Sequence, residues 1–402
     1  MKLLICSLLL LVIATGYCQN RRWINHFTDN QNTFSGSLYW AISKEKPNKN
    51  VLFSPISVSQ TLGMVLAGAM GNTYDEITRA LQMTDLTPSR IHTLMRKTRN
   101  NVVMRPNGQT VKLANSVFIG SNYPVVQQYI DLLRQNYKSS VFPVNFHNSN
   151  AAANMINEWV SNMTEDKIRE LVDPSSITAF TRMILVNAVY FQADWAISFR
   201  RIPTKQNFFL SNGTTVQVPF MVRWEAVVKS YNYRDKIEFF FIRYKTTSNQ
   251  NTYFVVGLPG DNYNLQQFSR EAQQILSRFR TINKMFRITH FKMPLIELSH
   301  KTDVKEVLQT LGVVDLFDSG ASNLTGISTV EQLYVSEFTQ KAYINVNENG
   351  TVAAAASAAT VQGRSLSIPR QVTVDRPFFI GVYQEKSNSF LFLGKVENPL
   401  SN

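Results

Sequence analysis

The chain has 402 residues and a formal net charge of +13, with 44% hydrophobic and 17% charged residues. This length can bury one large core or two ordinary ones, and the low charged fraction excludes an intrinsically disordered chain. The basic excess favours anionic partners such as polysaccharide, nucleic acid or a membrane surface, although solvated lysines on an ordinary surface would give the same charge.

The N-terminus is typical of a secretory signal peptide over residues 1–18. Lys2 precedes an apolar run over residues 3–13, and small residues follow. The run is too short to anchor the chain in a bilayer, and no later segment is long and apolar enough to span one. We therefore expect a secreted, extracellular and soluble protein whose leader is removed after Gly16 or after Cys18.

The two cysteines of the chain, Cys6 and Cys18, both lie within this N-terminal segment. Removal of the leader after Cys18 leaves no thiol and removal after Gly16 leaves one, so the mature chain cannot form an intramolecular disulfide. A thiolate zinc site and a cysteine nucleophile are excluded on the same ground. Stability must come from the burial of apolar surface, which suits one large core.

Helical and strand-like patterns are mixed along the rest of the chain, and neither a repeat period nor a linker rich in Pro, Gly or Ser divides it. Apolar residues at helical spacing predict amphipathic helices, and nearly continuous apolar runs predict buried strands. In chain order the predicted elements are a helix over 54–70, a helix over 151–172 that is interrupted by a turn, strands over 182–191 and 253–259, a helix over 301–317, and strands over 376–384 and 389–396. Together they predict one α+β domain over residues 19–402, with paired strands far apart in sequence.

Motifs for catalysis are absent from the sequence. It has no Gly-rich phosphate loop, no Gly-x-Ser-x-Gly turn and no His-Glu-x-x-His pair. The five histidines are scattered without metal-ligand spacing: His26, His92, His147, His290 and His300. We therefore expect no catalytic residue, no metal and no cofactor, although a hydrolase whose triad is assembled from distant residues stays open as an alternative.

Five stretches of the chain together carry a resemblance to a known family. They read NVLFSPISVSQTLGMVLAGAMGNTYDEI from position 50, LVNAVYFQADWAISF from 185, DVKEVLQTLGVVDLF from 303, VSEFTQKAYI from 335 and VTVDRPFFIGV from 372. They resemble the serpins, in that family's order and over nearly all of the mature chain. The resemblance implies the serpin fold, with three β-sheets, a shell of about eight or nine helices and an exposed reactive loop.

The segment over 348–370 resembles the serpin hinge and reactive loop. The hinge residues by this resemblance are Glu348, Gly350, Thr351, Ala353, Ala354, Ala355 and Ala356. In a strand, Thr351, Ala353, Ala355, Ser357 and Ala359 would share one face, and Val352, Ala354, Ala356 and Ala358 the other. No charged residue stands between positions 351 and 363, so the stretch can enter a sheet without burying a charge. The alternative, a solvent-exposed loop of small residues, does not explain the missing charge.

The same resemblance locates the reactive bond. Counting seventeen positions inclusively from Glu348, the acid that begins the family's hinge, reaches Arg364, so the reactive bond is Arg364–Ser365. An arginine suits a protease pocket with a carboxylate at its base, which predicts a trypsin-like serine protease as the covalent partner. Arg370, six residues further on, is the rival site and would need a longer tether.

The resemblance also assigns residues that control the opening of the main sheet. The shutter and breach residues are Ser54, Ser57, Asn187, Gln340 and Trp195. Gln340 stands where many members have histidine; its amide can still donate and accept hydrogen bonds. Leu295 lies near where some members place a lysine opposite the hinge acid, so Glu348 is expected to lack that salt bridge.

Basic residues cluster where heparin-binding members of the family keep a basic helix. They are Arg90, Arg96, Lys97 and Arg99. A sulfated polysaccharide of the heparin type would bridge inhibitor and protease there and act as an activator. The alternative is an ordinary solvated helix face.

The sequence also contains four sequons for N-glycosylation. Asn162, Asn212 and Asn323 are the predicted surface sites. Asn349 lies in the hinge, where a glycan would block insertion of the loop, so we expect it to be unoccupied.

These features predict a secreted, monomeric suicide-substrate inhibitor that traps a trypsin-like serine protease by inserting its cleaved loop, in a coagulation-like or immune cascade. Neither nucleic acid nor a membrane is expected as a partner. Two alternatives stay open: a non-inhibitory serpin that acts as a carrier or storage protein, and a basic polysaccharide-binding protein.

Overall fold

The computed structural model describes residues 2–103, 109–246, 251–279, 284–330, 333–351 and 370–401. Within these ranges the backbone alone is described for 2–22, 225–228 and 284–289. The chain is α+β, as the sequence predicted, because the described residues form eight α-helices and three β-sheets.

The helices are α1 (Lys2–Glu45), α2 (Pro55–Leu66), α3 (Gly71–Ala80), α4 (Pro88–Val103), α5 (Gln127–Tyr137), α6 (Ser149–Met163), α7 (Leu265–Ser277) and α8 (Val304–Thr310). Helix α2 begins at Pro55. Proline is tolerated there because an N–H at the first helical position has no acceptor within the helix. All residues of α2 are buried. Helices α1 and α7 cross at Gly36, where a Cβ would overlap the backbone of Gln273. None of the helices in the described ranges is both long and apolar enough to cross a membrane.

The nine-stranded sheet is antiparallel except where β15 runs parallel to β11. In spatial order its strands are β1 (Val51–Phe53), β17 (Ser389–Val396), β16 (Phe378–Gln384), β10 (Thr252–Pro259), β9 (Ile237–Arg243), β8 (Phe220–Tyr233), β11 (Lys284–Pro294) and β15 (Arg370–Thr373), with β5 (Arg200–Arg201) paired to β8. The strands predicted over 253–259, 376–384 and 389–396 correspond to β10, β16 and β17, so these predictions are confirmed to within a few residues.

The six-stranded sheet is mixed. Its spatial order is β12 (Ile296–Asp303), β13 (Glu337–Val346), β4 (Met183–Asp194), β2 (Gln109–Gly120) and β3 (Val141–Val144), with the short β14 (Gly350–Thr351) paired to β4. A separate hairpin is formed by β6 (Gln206–Phe209) and β7 (Thr215–Val218). The strand predicted over 182–191 is β4, which lies in the middle of this sheet.

Apolar cores separate the layers. In the first, α1, α2 and α7 pack against the nine-stranded sheet; the second lies between the two large sheets; the third lies between the six-stranded sheet and α6. Strand β4 is buried on both faces, since Val189 and Phe191 belong to the second core and Val186 and Ala188 to the third. Burial on both faces explains the nearly continuous apolar run of β4.

The helix predicted over 301–317 is wrong at both ends. Its first residues belong to β12, α8 covers only Val304–Thr310, and Asp315–Phe317 form a separate 3₁₀ turn. The Asp303 carboxylate accepts a hydrogen bond from the Glu306 N–H (3.2 Å), which fixes the start of the helix. Gly312, with φ of +87°, follows its end.

The further helical stretch predicted after the turn in 151–172 is also wrong. Helix α6 ends at Met163, and Glu165 and Asp166 then take left-handed φ values of +54° and +60°, which helical residues do not adopt. The Asn157 side chain holds the following segment instead. Its Oδ1 accepts hydrogen bonds from the N–H groups of Leu171 and Val172, both at 2.9 Å.

Candidate functional site

The six-stranded sheet begins to separate between β4 and β13. These strands pair in parallel from Ile184 and Glu337 up to Tyr190 and Tyr343. Beyond that point the chain leaves β13 at Val346, turns, and returns as β14, which pairs antiparallel with the last residues of β4. Since β2 occupies the other edge of β4, β14 lies on the edge that faces β13.

The turn between β13 and β14 is held by backbone atoms after β4. The Trp195 N–H donates to the Asn349 carbonyl (3.1 Å), and the Phe199 N–H donates to the Glu348 carbonyl (2.8 Å). The Trp195 indole Nε1–H also donates to the Asn347 carbonyl (2.8 Å). Trp195, which the serpin resemblance assigned to the shutter and breach, therefore binds the hinge at Asn349 and the residue before the hinge, Asn347, through two donors.

The two residues of β14 are each suited to their position. Gly350 has φ of +150°, and a Cβ there would overlap the carbonyl oxygen of Ala193, so another residue would be strained. Thr351 is fully buried, and its Oγ1 hydrogen-bonds the hydroxyl of Tyr244 (2.9 Å). The Tyr244 ring stacks on Trp195 with 4.6 Å between ring centroids. Burial raises the pKa of Tyr244 well above its ordinary value, so the phenol stays neutral.

A buried polar network connects β4 and β13 below this point. Gln340 and Asn187 are opposite each other in the parallel pair, and Gln340 Nε2 donates to Asn187 Oδ1 (2.8 Å). The Gln340 amide also accepts from the Ser54 N–H (2.7 Å) and donates to the Ser54 carbonyl (3.1 Å). Asn187 Nδ2 donates to Thr61 Oγ1 (3.0 Å), so both strands are tied to α2 and to the residue before it.

The two predicted shutter serines take part in different ways. The Ser54 hydroxyl is buried without a hydrogen-bond partner among the described residues, because Ser54 joins the network through its backbone. The Ser57 hydroxyl donates to Asn115 Oδ1 (2.8 Å). Sequence reasoning missed Thr61 and Asn115. Thr61 is one helical turn after Ser57, so the α2 periodicity offered a signal for it; Asn115 offered none, because its strand partner Asn187 is far away in sequence.

The acid that begins the hinge lies in an open cleft. Glu348 lines it together with Leu295, Glu297 and Arg201. Glu348 forms no ion pair with any residue of the described ranges, and Leu295 offers no charge to it. The hinge is therefore held by hydrogen bonds of its backbone and of the Thr351 side chain rather than by a salt bridge of its acid.

The rest of the predicted hinge and the predicted reactive bond lie outside the described residues. These are Ala353, Ala354, Ala355, Ala356, Arg364 and Ser365. The rival, Arg370, is described. It begins β15, and its guanidinium binds both carboxylate oxygens of Glu238, with N–O distances of 2.9 and 2.7 Å.

The four predicted heparin-binding cations do not share one surface of α4. Arg90 and Lys97 are exposed and seven positions apart, which places them on one helix face. The Arg90 guanidinium lies 4.4 Å from the ring centroid of Trp23. Arg96 and Arg99 are half-buried and line two different cavities, and burial lowers the pKa of Arg99.

The three predicted surface sequons differ in exposure. Asn162 is exposed at the end of α6, but the hydroxyl of its Thr164 is buried and hydrogen-bonded within the chain. Asn212 is exposed in the β6–β7 turn, where its Oδ1 accepts from Thr214 Oγ1 (2.7 Å). Asn323 is half-buried beside α3. Asn162 and Asn212 are the exposed asparagines, and of these two only Asn212 belongs to a sequon whose threonine is also exposed.

Comparisons with known proteins agree with this geometry. The family model described as serpin, serine protease inhibitor, matches residues 29–399. Serpin A3-5 of Bos taurus is 31% identical over 386 residues, which are 95% of this chain and 91% of that protein. Native protease nexin-1, solved with heparin, has a TM-score of 0.80 and 26% identity, covering 94% of this chain and all of that one. Thyroxine-binding globulin in complex with thyroxine has a TM-score of 0.80 and 25% identity, covering 93% and 99%.

This chain belongs to the serpin family, and it has the serpin fold that the sequence predicted. The family includes protease inhibitors and also non-inhibitory members such as thyroxine-binding globulin. Membership alone therefore does not decide between inhibition and another role, and the hinge region has to supply that argument.

Proposed function

We propose that this chain is a secreted suicide-substrate inhibitor of trypsin-like serine proteases. One observation carries the proposal: β14 already pairs antiparallel with β4 on the edge that faces β13, and no charged residue follows until Arg364. Because β4 and β13 run parallel to each other, a strand that continues β14 between them would be antiparallel to both. A loop that continued β14 between β4 and β13 would therefore have the strand direction that antiparallel pairing with both neighbours requires.

The register of β14 defines which residues would meet in the enlarged sheet. Gly350 opposes Asp194 and Thr351 opposes Ala193, so the same register would place Ala353 opposite Phe191 and Ala355 opposite Val189. Opposed residues point to the same face of a sheet. Phe191 and Val189 belong to the core between the two large sheets, where small residues such as alanine add a strand with little overlap.

The chemistry of trapping follows from the reactive bond. The protease serine Oγ attacks the Arg364 carbonyl carbon and forms an ester, while the bond to the Ser365 nitrogen breaks and that nitrogen takes the proton from the protease histidine. The thirteen residues from Val352 to Arg364 would then extend β14 as a strand within the sheet, spanning roughly 44 Å. The tethered protease is carried along and distorted before water can hydrolyse the ester.

Arg364 is a better reactive residue than Arg370 for a structural reason. Arg370 lies in β15, which is paired with β11, and its guanidinium is engaged by Glu238. A protease would have to remove it from both contacts before binding it. Arg364 is the remaining arginine of the segment, and the bidentate geometry of guanidinium fits the acidic pocket of a trypsin-like protease.

We place the protein outside cells, because its N-terminus has the composition of a signal peptide over residues 1–18. It would act there as a monomer in a proteolytic cascade of the coagulation or immune type. Heparin-like polysaccharide is the proposed activator, with Arg90 and Lys97 as its exposed contacts, and Asn212 is the first proposed glycosylation site.

The test is incubation of the mature protein with a panel of trypsin-like and chymotrypsin-like proteases, followed by denaturing electrophoresis. We expect an SDS-stable covalent complex with at least one trypsin-like protease and none with that protease for Arg364→Ala. Mass spectrometry should show that the released C-terminal peptide begins at Ser365. If the wild type is inert or is cleaved without a stable complex, a non-inhibitory carrier or storage role becomes the better account.

A further inference from the structure

An open cavity of about 840 Å³ lies among α2, α3, α4 and α5, away from the hinge and the opening between β4 and β13. This volume is typical of sites that bind small molecules. One wall is apolar and consists of Leu66, Ala69, Met70, Tyr74 and Leu132. Met70 is 48% exposed, which is high for a large apolar side chain beside a cavity.

The polar lining of the cavity includes a cation without a partner. Arg96 lines it, is half-buried, and forms neither an ion pair nor a hydrogen bond with any described residue. Asp131 is the acidic residue of the lining, and one of its oxygens already accepts from Gln127 Nε2 (2.9 Å). The lining also includes the amides of Gln128, Gln135 and Asn136, but none of them pairs with Arg96, so its guanidinium faces the cavity without a partner.

His92 adds a second donor. It is only 7% exposed, lines the cavity, and its Nδ1 is 2.6 Å from the Tyr137 hydroxyl. Burial lowers the pKa of His92 to about 4 and raises that of Tyr137 well above its ordinary value, so both groups are neutral near pH 7. In the tautomer in which the Tyr137 hydroxyl donates to Nδ1, the ring proton lies on Nε2. Nε2 has no hydrogen-bond partner among the described residues.

The N-termini of two helices at the cavity also favour an anionic ligand. Helix α3 begins at Gly71, and the residue before it, Met70, provides no side-chain cap. Helix α4 begins at Pro88, and Pro88 and Ser89 also line the cavity. The positive ends of two helix dipoles thus meet a cavity that already holds the unpaired donors of Arg96 and His92.

We propose that this cavity binds an amphipathic carboxylate, with its head at Arg96 and His92 Nε2 and its hydrocarbon tail along Leu66, Met70 and Leu132. The carboxylate provides the acceptors that the donors lack, and the tail covers the exposed apolar wall. Binding here is independent of the reactive loop and of the proposed inhibitory function, since no residue of the hinge lines the cavity.

The probe for the test is dodecanoate below its micellar concentration, titrated into the mature protein by calorimetry. We expect saturable binding of one molecule per protein, and binding of dodecylammonium weaker by about tenfold or more because Arg96 repels its head. Arg96→Gln, which removes the charge with little change in shape, should lower dodecanoate affinity by about tenfold. Thr93→Trp, at a half-buried position of the same lining, should abolish binding by filling the cavity.

Lys97→Gln is the matched control, because Lys97 is the next residue of α4 and is exposed outside the cavity. It should leave dodecanoate affinity within about twofold. Thermal unfolding of each variant establishes that it is folded. Absence of saturable dodecanoate binding to the wild type, equal losses for Arg96→Gln and Lys97→Gln, or equal affinity for dodecylammonium would each overturn the proposal.

Discussion

The side chains of Gln340 and Asn187 hydrogen-bond at 2.8 Å across the parallel strands β13 and β4, and both residues are fully buried. Adjacent strands are about 4.8 Å apart, so a strand placed between these two would roughly double their separation. The Gln340–Asn187 bond cannot survive that change. It stabilises the form without an inserted strand, whereas the two bonds from Gln340 to the Ser54 backbone can persist on β13.

Gln340→Ala should destabilise the uncleaved protein by about 2–4 kcal/mol, because it leaves the Ser54 N–H and the side-chain Oδ1 of Asn187 buried without partners. The loop-cleaved protein should lose less, since its Asn187 bond is already broken. Urea unfolding of both forms, followed by tryptophan fluorescence, measures the difference. Ser116→Ala is the control, because the Ser116 bond to the Ser140 carbonyl lies outside the opening and should contribute equally to both forms. Equal losses for Gln340→Ala in the two forms would contradict the role assigned to it.

The Thr351–Tyr244 hydrogen bond predicts a measurable coupling energy. Thr351→Val keeps the shape of the side chain and removes the hydroxyl, and Tyr244→Phe does the same for the partner. Each single change should cost about 1–2 kcal/mol of unfolding free energy, because one buried hydroxyl loses its partner. The double variant should cost less than the sum, by about 1 kcal/mol. Strict additivity in the double-mutant cycle would show that the two hydroxyls do not interact.

The part of this site that could be predicted from sequence is the part that local composition determines. The absence of charge from Thr351 to Gly363 supports the prediction of a strand that can be buried, and the resemblance to the serpins identified Asn187 and Gln340, which the structure joins by a hydrogen bond. Tyr244 could not be found in this way. It meets Thr351 only because β9 and β14 end close together, although the two residues are 107 positions apart.

The fold was predictable to the same extent. Buried strands such as β10 and β16 are visible as apolar runs, and the alternation of patterns gave the α+β class. The boundary between β12 and α8 was not visible, because apolar spacing continues across it and only the Asp303 cap fixes it. Similarly, the end of α6 depends on the Asn157 side chain, whose partners follow 14 and 15 positions later.

The exposed cations of α4 predict an unequal response to heparin. Arg90→Ala with Lys97→Ala should lower the salt concentration that elutes the protein from a heparin column more than Arg96→Ala with Arg99→Ala does. Both variants lose the same charge, but Arg96 and Arg99 are half-buried beside cavities. The slope of log affinity against log salt should fall by about two for the first pair. Equal elution of the two variants would mean that net charge alone governs retention.

Two histidines, the buried His92 and the half-buried His300, predict loss of stability in mild acid. Burial lowers the pKa of His92 to about 4, and burial together with Lys46 lowers that of His300 to about 4, from an ordinary value of 6.5. Between these values the unfolded chain binds a proton at each histidine that the folded chain does not bind. The unfolding free energy therefore falls as the pH is lowered from about 6.5 to 4, by up to about 3 kcal/mol for each group. Urea titrations across this range should show a shallower pH dependence for His300→Gln than for the wild type, and an unchanged profile would exclude His300 as a source of it.

The alanine run gives the sharpest test of insertion. The register of β14 places Ala355 opposite Val189, so its side chain would point into the core between the two large sheets. Ala355→Glu would then bury a carboxylate with no partner, at a cost of several kcal/mol unless it takes up a proton. Before cleavage the same charge costs little if the loop is exposed to solvent, as the serpin resemblance implies.

Ala355→Glu should therefore turn the inhibitor into a substrate. Insertion would slow, hydrolysis of the acyl-enzyme would precede it, and the protein would be cut after Arg364 while the protease is released active. Denaturing electrophoresis and recovery of protease activity measure the partition between complex and cleaved product. Ser367→Glu is the control, since it adds the same charge to the fragment that does not enter the sheet, and it should still form the complex. The cleaved wild type should also melt far above its uncleaved form, while cleaved Ala355→Glu should not. If Ala355→Glu traps protease as efficiently as the wild type, the loop does not enter the sheet with Ala355 facing that core.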